Sequence, residues 1–159
     1  MIALHPLGPG DRARIERLAV APEQERFSGR AADAFDAAEP GVDFHAVAEG
    51  ERVVGFFKID RRYAQAHPFA RPGEIGLRGF LIDRREQGRG LASAAVRALG
   101  PYLADRHAGA PAVVLTVNHA NPAAIACYLR GGFADTGEIW HGGRAGPQHI
   151  MRMPLRAPR

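Results

Sequence analysis

The stretch Gln87-Gly88-Arg89-Gly90-Leu91-Ala92 constrains this chain more than any other, because an apolar run gives way there to an amphipathic one. Upstream, Glu74 to Asp83 is apolar and closes on the charged cluster Asp83-Arg84-Arg85-Glu86, which reads as a buried strand. Downstream, Leu91, Ala94, Ala95, Ala98, Leu99, Tyr102 and Leu103 recur at three and four residues and draw one apolar stripe along a helix. Where a strand turns into a helix through glycines, the backbone can approach a bulky anion. The unpaired first-turn N–H groups then present partial positive charge to it. Such a turn suits a pyrophosphate. Without a ligand it is only a glycine-rich connection, so the surrounding segments have to decide between the two.

Those segments alternate between the two periods. Asp11 caps a first helix carrying Ile15, Leu18 and Ala19, which Pro22 interrupts, and a second helix runs from about Gly29 to Glu39 before Pro40-Gly41 closes it. Phe44 to Glu49 and Val53 to Asp60 read as a hairpin turning at Gly50-Glu51, and Arg61 to Gly73 reads as a loop. Ala112 to Val117 is a short β-branched strand, Asn121-Pro122 opens a helix that Gly131-Gly132 stops, and Phe133 to Trp140 and His149 to Leu155 are two further strands. The order is α-α-β-β-β-α-β-α-β-β, without a repeat, which implies one mixed α/β (α+β) domain over residues 1–159.

Three phosphate-binding designs compete for the glycine turn. A P-loop needs Gly-Lys-Ser/Thr at its end, and Lys58, the only lysine, lies far upstream in a strand. A dinucleotide fold wants a third glycine where Ser93 stands and an acid closing the next strand where Asn118 stands. The third design, Gln/Arg-x-x-Gly-x-Gly/Ala, is matched by Gln87, Gly90 and Ala92, and here the sequence resembles the Gcn5-related N-acetyltransferase (GNAT) superfamily. Asn121 to Phe133, Asn-Pro-Ala-Ala-Ile-Ala-Cys-Tyr-Leu-Arg-Gly-Gly-Phe, is similar to that superfamily's second cofactor segment. Leu77 to Asp83, Pro22 to Phe27, Val54-Gly55-Phe56, Thr136-Gly137-Glu138 and Met151 to Leu155 resemble its bacterial polyamine-acetyltransferase-like members, so the resemblance runs nearly the full length.

The resemblance implies a GNAT-like fold: a central, largely antiparallel sheet with one splayed parallel pair, flanked by about four helices. It implies acetyl-coenzyme A (acetyl-CoA) as cosubstrate, with its pantetheine arm along Phe80, Leu81 and Ile82. The pyrophosphate falls on Gln87, Gly88, Arg89, Gly90, Leu91 and Ala92, with Asn121 and Ala124 on the other side. Tyr128 matches the tyrosine near the thioester sulfur, where a phenol of solution pKa about 10 protonates a leaving thiolate. The implied reaction is direct acetyl transfer to a primary amine of a small molecule, polyamine-like in the branch named above, and many members pair as homodimers. An ammonium must lose its proton before it attacks, and the base is left open among Glu74, Glu23, Glu25 and a water path. Arg78 stands where some polyamine enzymes carry a glutamate; it cannot act as a base and opposes a cationic acceptor unless it is paired. That departure also leaves open a non-catalytic acyl-CoA-binding or sensing module, and transfer to an antibiotic or a protein N-terminus.

Composition narrows the field. The net charge of +4 is almost all arginine and scattered, which gives no nucleic-acid footprint. No apolar run approaches a membrane span, the first ten residues lack a secretory pattern, and a lone Cys127 fits a reducing compartment, so the expectation is cytoplasmic. The histidines show no ligand spacing, and no metal is expected; they read as solvent-facing or loop residues. Trp140 with Phe133 reads either as core or as the lining of an acceptor pocket.

Overall fold

Continuous apolar runs in the middle of the chain and alternating ones at its ends sort the strands into covered and edge positions. The computed structural model describes residues 1–143 and 145–155. Seven strands form one sheet: β1 (Ile2–Leu7), β2 (Val42–Glu49), β3 (Arg52–Asp60), β4 (Ile75–Ile82), β5 (Ala112–Asn118), β6 (Ala134–Trp140) and β7 (Gln148–Pro154), in the order β1-β2-β3-β4-β5-β7-β6. Every neighbouring pair is antiparallel except β4 with β5. The sheet is therefore mixed, with a single parallel seam near its middle.

Helices cover both faces. The long α5 (Leu91–Arg106) buries Leu91, Ala95, Val96, Leu99 and Leu103 with α6 (Pro122–Arg130) on one face, against Leu77, Val113, Leu115 and Met151. Each fully buried leucine or valine contributes about 1.5–3 kcal/mol. The α5 stripe thus closes this half of the core. Shorter helices, α1 (Arg12–Ile15), α2 (Glu25–Ser28), α3 (Ala31–Ala37) and α4 (Tyr63–Ala66), serve the opposite face, where Ile15, Leu18 and Ala31 meet Ala46, Phe56 and Leu81. β3 and β5 lie between the layers and are buried along most of their length.

Three elements, β1, α2 and α4, go beyond the sequence expectation. Residues 2–7 form an edge strand rather than a lead-in to the first helix. Pro6 has no N–H for a ladder, and an edge position opposite His45 tolerates that loss. Within the expected loop 61–73, Tyr63–Ala66 makes one helical turn whose tyrosine is 2% exposed. The first helix is a single turn, with Asp11 accepting from Gly8 N at 2.7 Å. The stop after α6 has two causes: Gly132 takes φ +113°, and a Cβ on Gly131 would run into Val96 of α5.

Candidate active site

The parallel seam opens almost at once. Only Ile75 with Val113 and Gly76 with Val114 pair between β4 and β5, so past those residues the facing backbones of the two strands lack each other as partners. A bulge in β4 widens the gap. Phe56 opposes Leu81 and Lys58 opposes Arg78, which leaves Phe57 facing both Gly79 and Phe80. Gly79 sits at φ +61°, a conformation suited to glycine at such a bulge. The result is a cleft of about 780 Å3 that runs along Phe80, Leu81 and Ile82.

The glycine turn forms one end of this cleft. Gly88 and Gly90 take φ +83° and +76°, and the first α5 residues follow directly. Among the described residues, the backbone amides from Gly88 to Ser93 donate to no backbone carbonyl, the first helical bond being Ala94 N to Gly90 O at 3.1 Å. Six free donors at the N-terminus of a sixteen-residue helix make an anion cradle. Gly88, Gly90, Leu91 and Ala92 line the cleft, whereas the Arg89 side chain turns away to Glu49 at 2.9 Å and Glu86 at 3.5 Å. Gln87 turns inward: its Nε2 donates to Ile82 O at 2.9 Å and holds the end of β4 against the turn.

The opposite wall comes from α6. Asn121 caps it by accepting from Ala124 N at 3.4 Å, and both residues line the cleft. Tyr128, in the second turn, sets its ring edge-on to Phe80 at 6.1 Å and to Phe133 at 5.7 Å. Burial first, and then Cys127, push its phenol above the usual tyrosine value, so it stays protonated across the physiological range. Cys127 is 7% exposed with its thiol pushed up by burial, the state of a packed hydrophobe rather than a nucleophile.

The face of the sheet away from α5 supplies the other half of the cleft. Arg78 donates to Glu39 at 2.9 and 3.3 Å and to Asp60 at 3.1 Å, so its charge is spent inside the protein. Lys58, Tyr63, His67, Thr116 and Gln148 also line this half. Tyr63 stacks on His67 with ring centroids 3.9 Å apart, and His67 Nδ1 lies 3.0 Å from Tyr63 O, which requires that nitrogen to be the N–H. Of the acids considered as bases, Glu25 lines the cleft rim, whereas Glu74 is 2% exposed and bound to Arg152 at 2.8 Å outside the cleft.

Residues 24–133 match the model of the Acetyltransferase (GNAT) family. The chain belongs to this family. No curated protein sequence is detectably similar to it. Solved structures share the fold at low identity. The aminoglycoside acetyltransferase AAC(6')-Ib, in complex with paromomycin and acetyl-CoA, superposes with a TM-score of 0.77 at 17% identity over 96% of this chain and 93% of that one. The spermidine N-acetyltransferase from Vibrio cholerae, in complex with CoA and spermine, gives 0.70 at 17% over 97% and 95%. The GNAT domain of S. lividans PAT gives 0.69 at 20% over 96% and 89%.

In this acetyltransferase the residues expected at the cofactor cleft do gather around one opening, with the Arg89 side chain outside it. Lys58, Tyr63 and His67 are the additions. His67 lies in a loop, as expected, and also lines the cleft, whereas His45 sits in β2, 1% exposed and hydrogen-bonded to Tyr102 Oη at 2.7 Å. Phe133 and Trp140 do not share a pocket; Phe133 packs in the α5–α6 core and Trp140 with Tyr63 and Phe69. Among the described residues no group of three or more His, Cys, Asp or Glu is placed to hold a metal, and no helix is long and apolar enough to cross a membrane.

Proposed function

We propose that this acetyltransferase moves an acetyl group from acetyl-CoA to the primary amine of a small molecule by direct transfer in a ternary complex. The observation that carries the proposal is the junction of the unpaired β4 edge with the six free amides of the glycine turn. That junction fits an extended arm that ends in a pyrophosphate. Acetyl-CoA supplies the activated acyl group as a thioester. The amides of Gly88 to Ser93 bind the diphosphate, and the free edge of β4 at Phe80 to Ile82 pairs with the amide-bearing arm. Asn121 and Ala124 close the other side.

Backbone donors exposed by the Gly79 bulge stabilise negative charge that develops on the carbonyl oxygen. The neutral amine attacks the carbonyl carbon, and Tyr128 delivers its proton to the departing sulfur. The acceptor proton leaves by water on the face that holds Lys58 and Arg78, where Glu39 and Asp60 are held by Arg78.

Thiol release from acetyl-CoA, measured across polyamines, aminoglycosides, amino acids and peptides, tests the reading. Saturable release with one amine class, lowered about a hundredfold in kcat by Tyr128→Phe with the coenzyme dissociation constant unchanged, is expected. Tight coenzyme binding with no release from any amine would replace it with a non-catalytic acyl-CoA-binding role.

A further inference from the structure

The acceptor half of the cleft holds a cation whose donors are free. Lys58 of β3 stands opposite Arg78 of β4, and its aliphatic stem crosses the bulge, where a Cβ on Gly79 would lie 2.9 Å from Lys58 Cε. Its side chain is 13% exposed and lines the cleft, yet among the described residues its ammonium donates no hydrogen bond of ordinary length. Among the described residues its one ion pair is with Glu39 at 4.0 Å, whose two oxygens already accept from Arg78 at 2.9 and 3.3 Å. Asp60 is taken likewise, by Arg78 at 3.1 Å and the Arg62 amide at 2.8 Å. A half-buried ammonium with unused donors seeks an anion.

We propose that Lys58 binds a carboxylate carried by the acceptor beside its reacting amine, so that the acceptor is an α-amino acid rather than a polycation. The inference rests on the acetyl-transfer reading, because that reading brings the acyl carbon to the Gly79 bulge. An ammonium anchored over the bulge reaches a group only a few bonds from the amine. A carboxylate on the α-carbon meets that limit, and one at the end of a long chain does not. A polycation, in contrast, meets the Lys58 ammonium and finds both inner carboxylates engaged by Arg78, with Glu25 at the rim 3.8 Å from Arg30. The positive field of Lys58 also favours the neutral form of the acceptor amine, the form that attacks.

The test compares thiol release for a panel of α-amino acids, each beside the amine made by removing its carboxylate, with spermidine included. The unmodified enzyme prefers the amino acid of at least one pair in kcat/KM by about tenfold to a hundredfold, the range of one charge-assisted contact. Lys58→Met collapses that ratio through KM, and Lys58→Arg restores part of it. The ratio within a pair does not depend on the fraction of folded enzyme. Preference for the decarboxylated amines or spermidine, or a ratio that survives Lys58→Met, overturns the assignment of Lys58 while leaving acetyl transfer standing. Absence of release from every amine overturns both readings.

Discussion

The ring of Tyr63 lies so close over Gly76 that a Cβ on Gly76 would fall inside it. Gly76 is one of the two β4 residues in register with β5, so the ring crosses the seam at the point where the strands begin to part. Gly76→Ala therefore overpacks a site with no slack and is expected to destabilise the fold by about 1–3 kcal/mol in urea unfolding. Displacing Tyr63 also disturbs the acceptor half of the cleft, so the acceptor KM rises more than the coenzyme dissociation constant.

Gly79 combines φ +61° with the Lys58 stem at 2.9 Å from a Cβ position. Gly79→Ala is expected to cost about 1–2 kcal/mol in backbone conformation alone. On the proposed reaction, in which amides at the bulge stabilise the developing charge on the carbonyl oxygen, kcat falls further than stability accounts for. Steady-state kinetics at a temperature where the variant is fully folded separates the two effects.

Glu74 accepts from Arg152 at 2.8 and 3.1 Å and from the Arg71 amide at 2.7 Å. Burial opposes its ionisation, but the donors from Arg152 and Arg71 outweigh that and keep its carboxyl below the ordinary range. Glu74→Gln leaves Arg152 without its counter-charge and is expected to destabilise by about 3 kcal/mol. The turnover of the folded variant stays near that of the unmodified enzyme. A hundredfold loss of kcat with unchanged stability would instead make Glu74 the base.

His45 should set part of the acid limit of stability. Burial, and next the charge of Arg106, lower its pKa from 6.5 to about 4, and its buried Nε2 has no partner among the described residues. The folded state thus keeps His45 neutral while the unfolded chain takes up a proton near pH 6.5. Stability is full above that pH and declines as pH falls from about 6.5 toward about 4, by on the order of 2–3 kcal/mol. Urea midpoints across that range should show the decline in the parent and a flatter profile in His45→Phe.

The gathering of the glycine turn and α6 around one cleft was legible because each depends on local backbone features. Gly88, Gly90 and the start of α5 are neighbours in sequence, and so are Asn121, Ala124 and Tyr128. The acceptor side depends on distant partners. Nothing near Arg78 reveals that Glu39 and Asp60 neutralise it, since they come from the end of the α3 segment and from β3. Lys58 stands out in the sequence as the only lysine, but its position over Gly79 required the bulge register. Pro6 masked β1, because the residue that argues against a strand is compatible with an edge.

The two-pair seam between β4 and β5 also bears on how the molecule holds together. The sheet is two antiparallel blocks, β1 to β4 and β5 with β7 and β6, joined in register at two residue pairs and bridged by α5. An arm bound along the open edge acts as a missing strand, so coenzyme binding is coupled to the mechanical union of the blocks. Hydrogen exchange at 77–82 and 115–118 should then slow on adding coenzyme far more than at the β1–β2 edge, and the melting temperature should climb with coenzyme concentration.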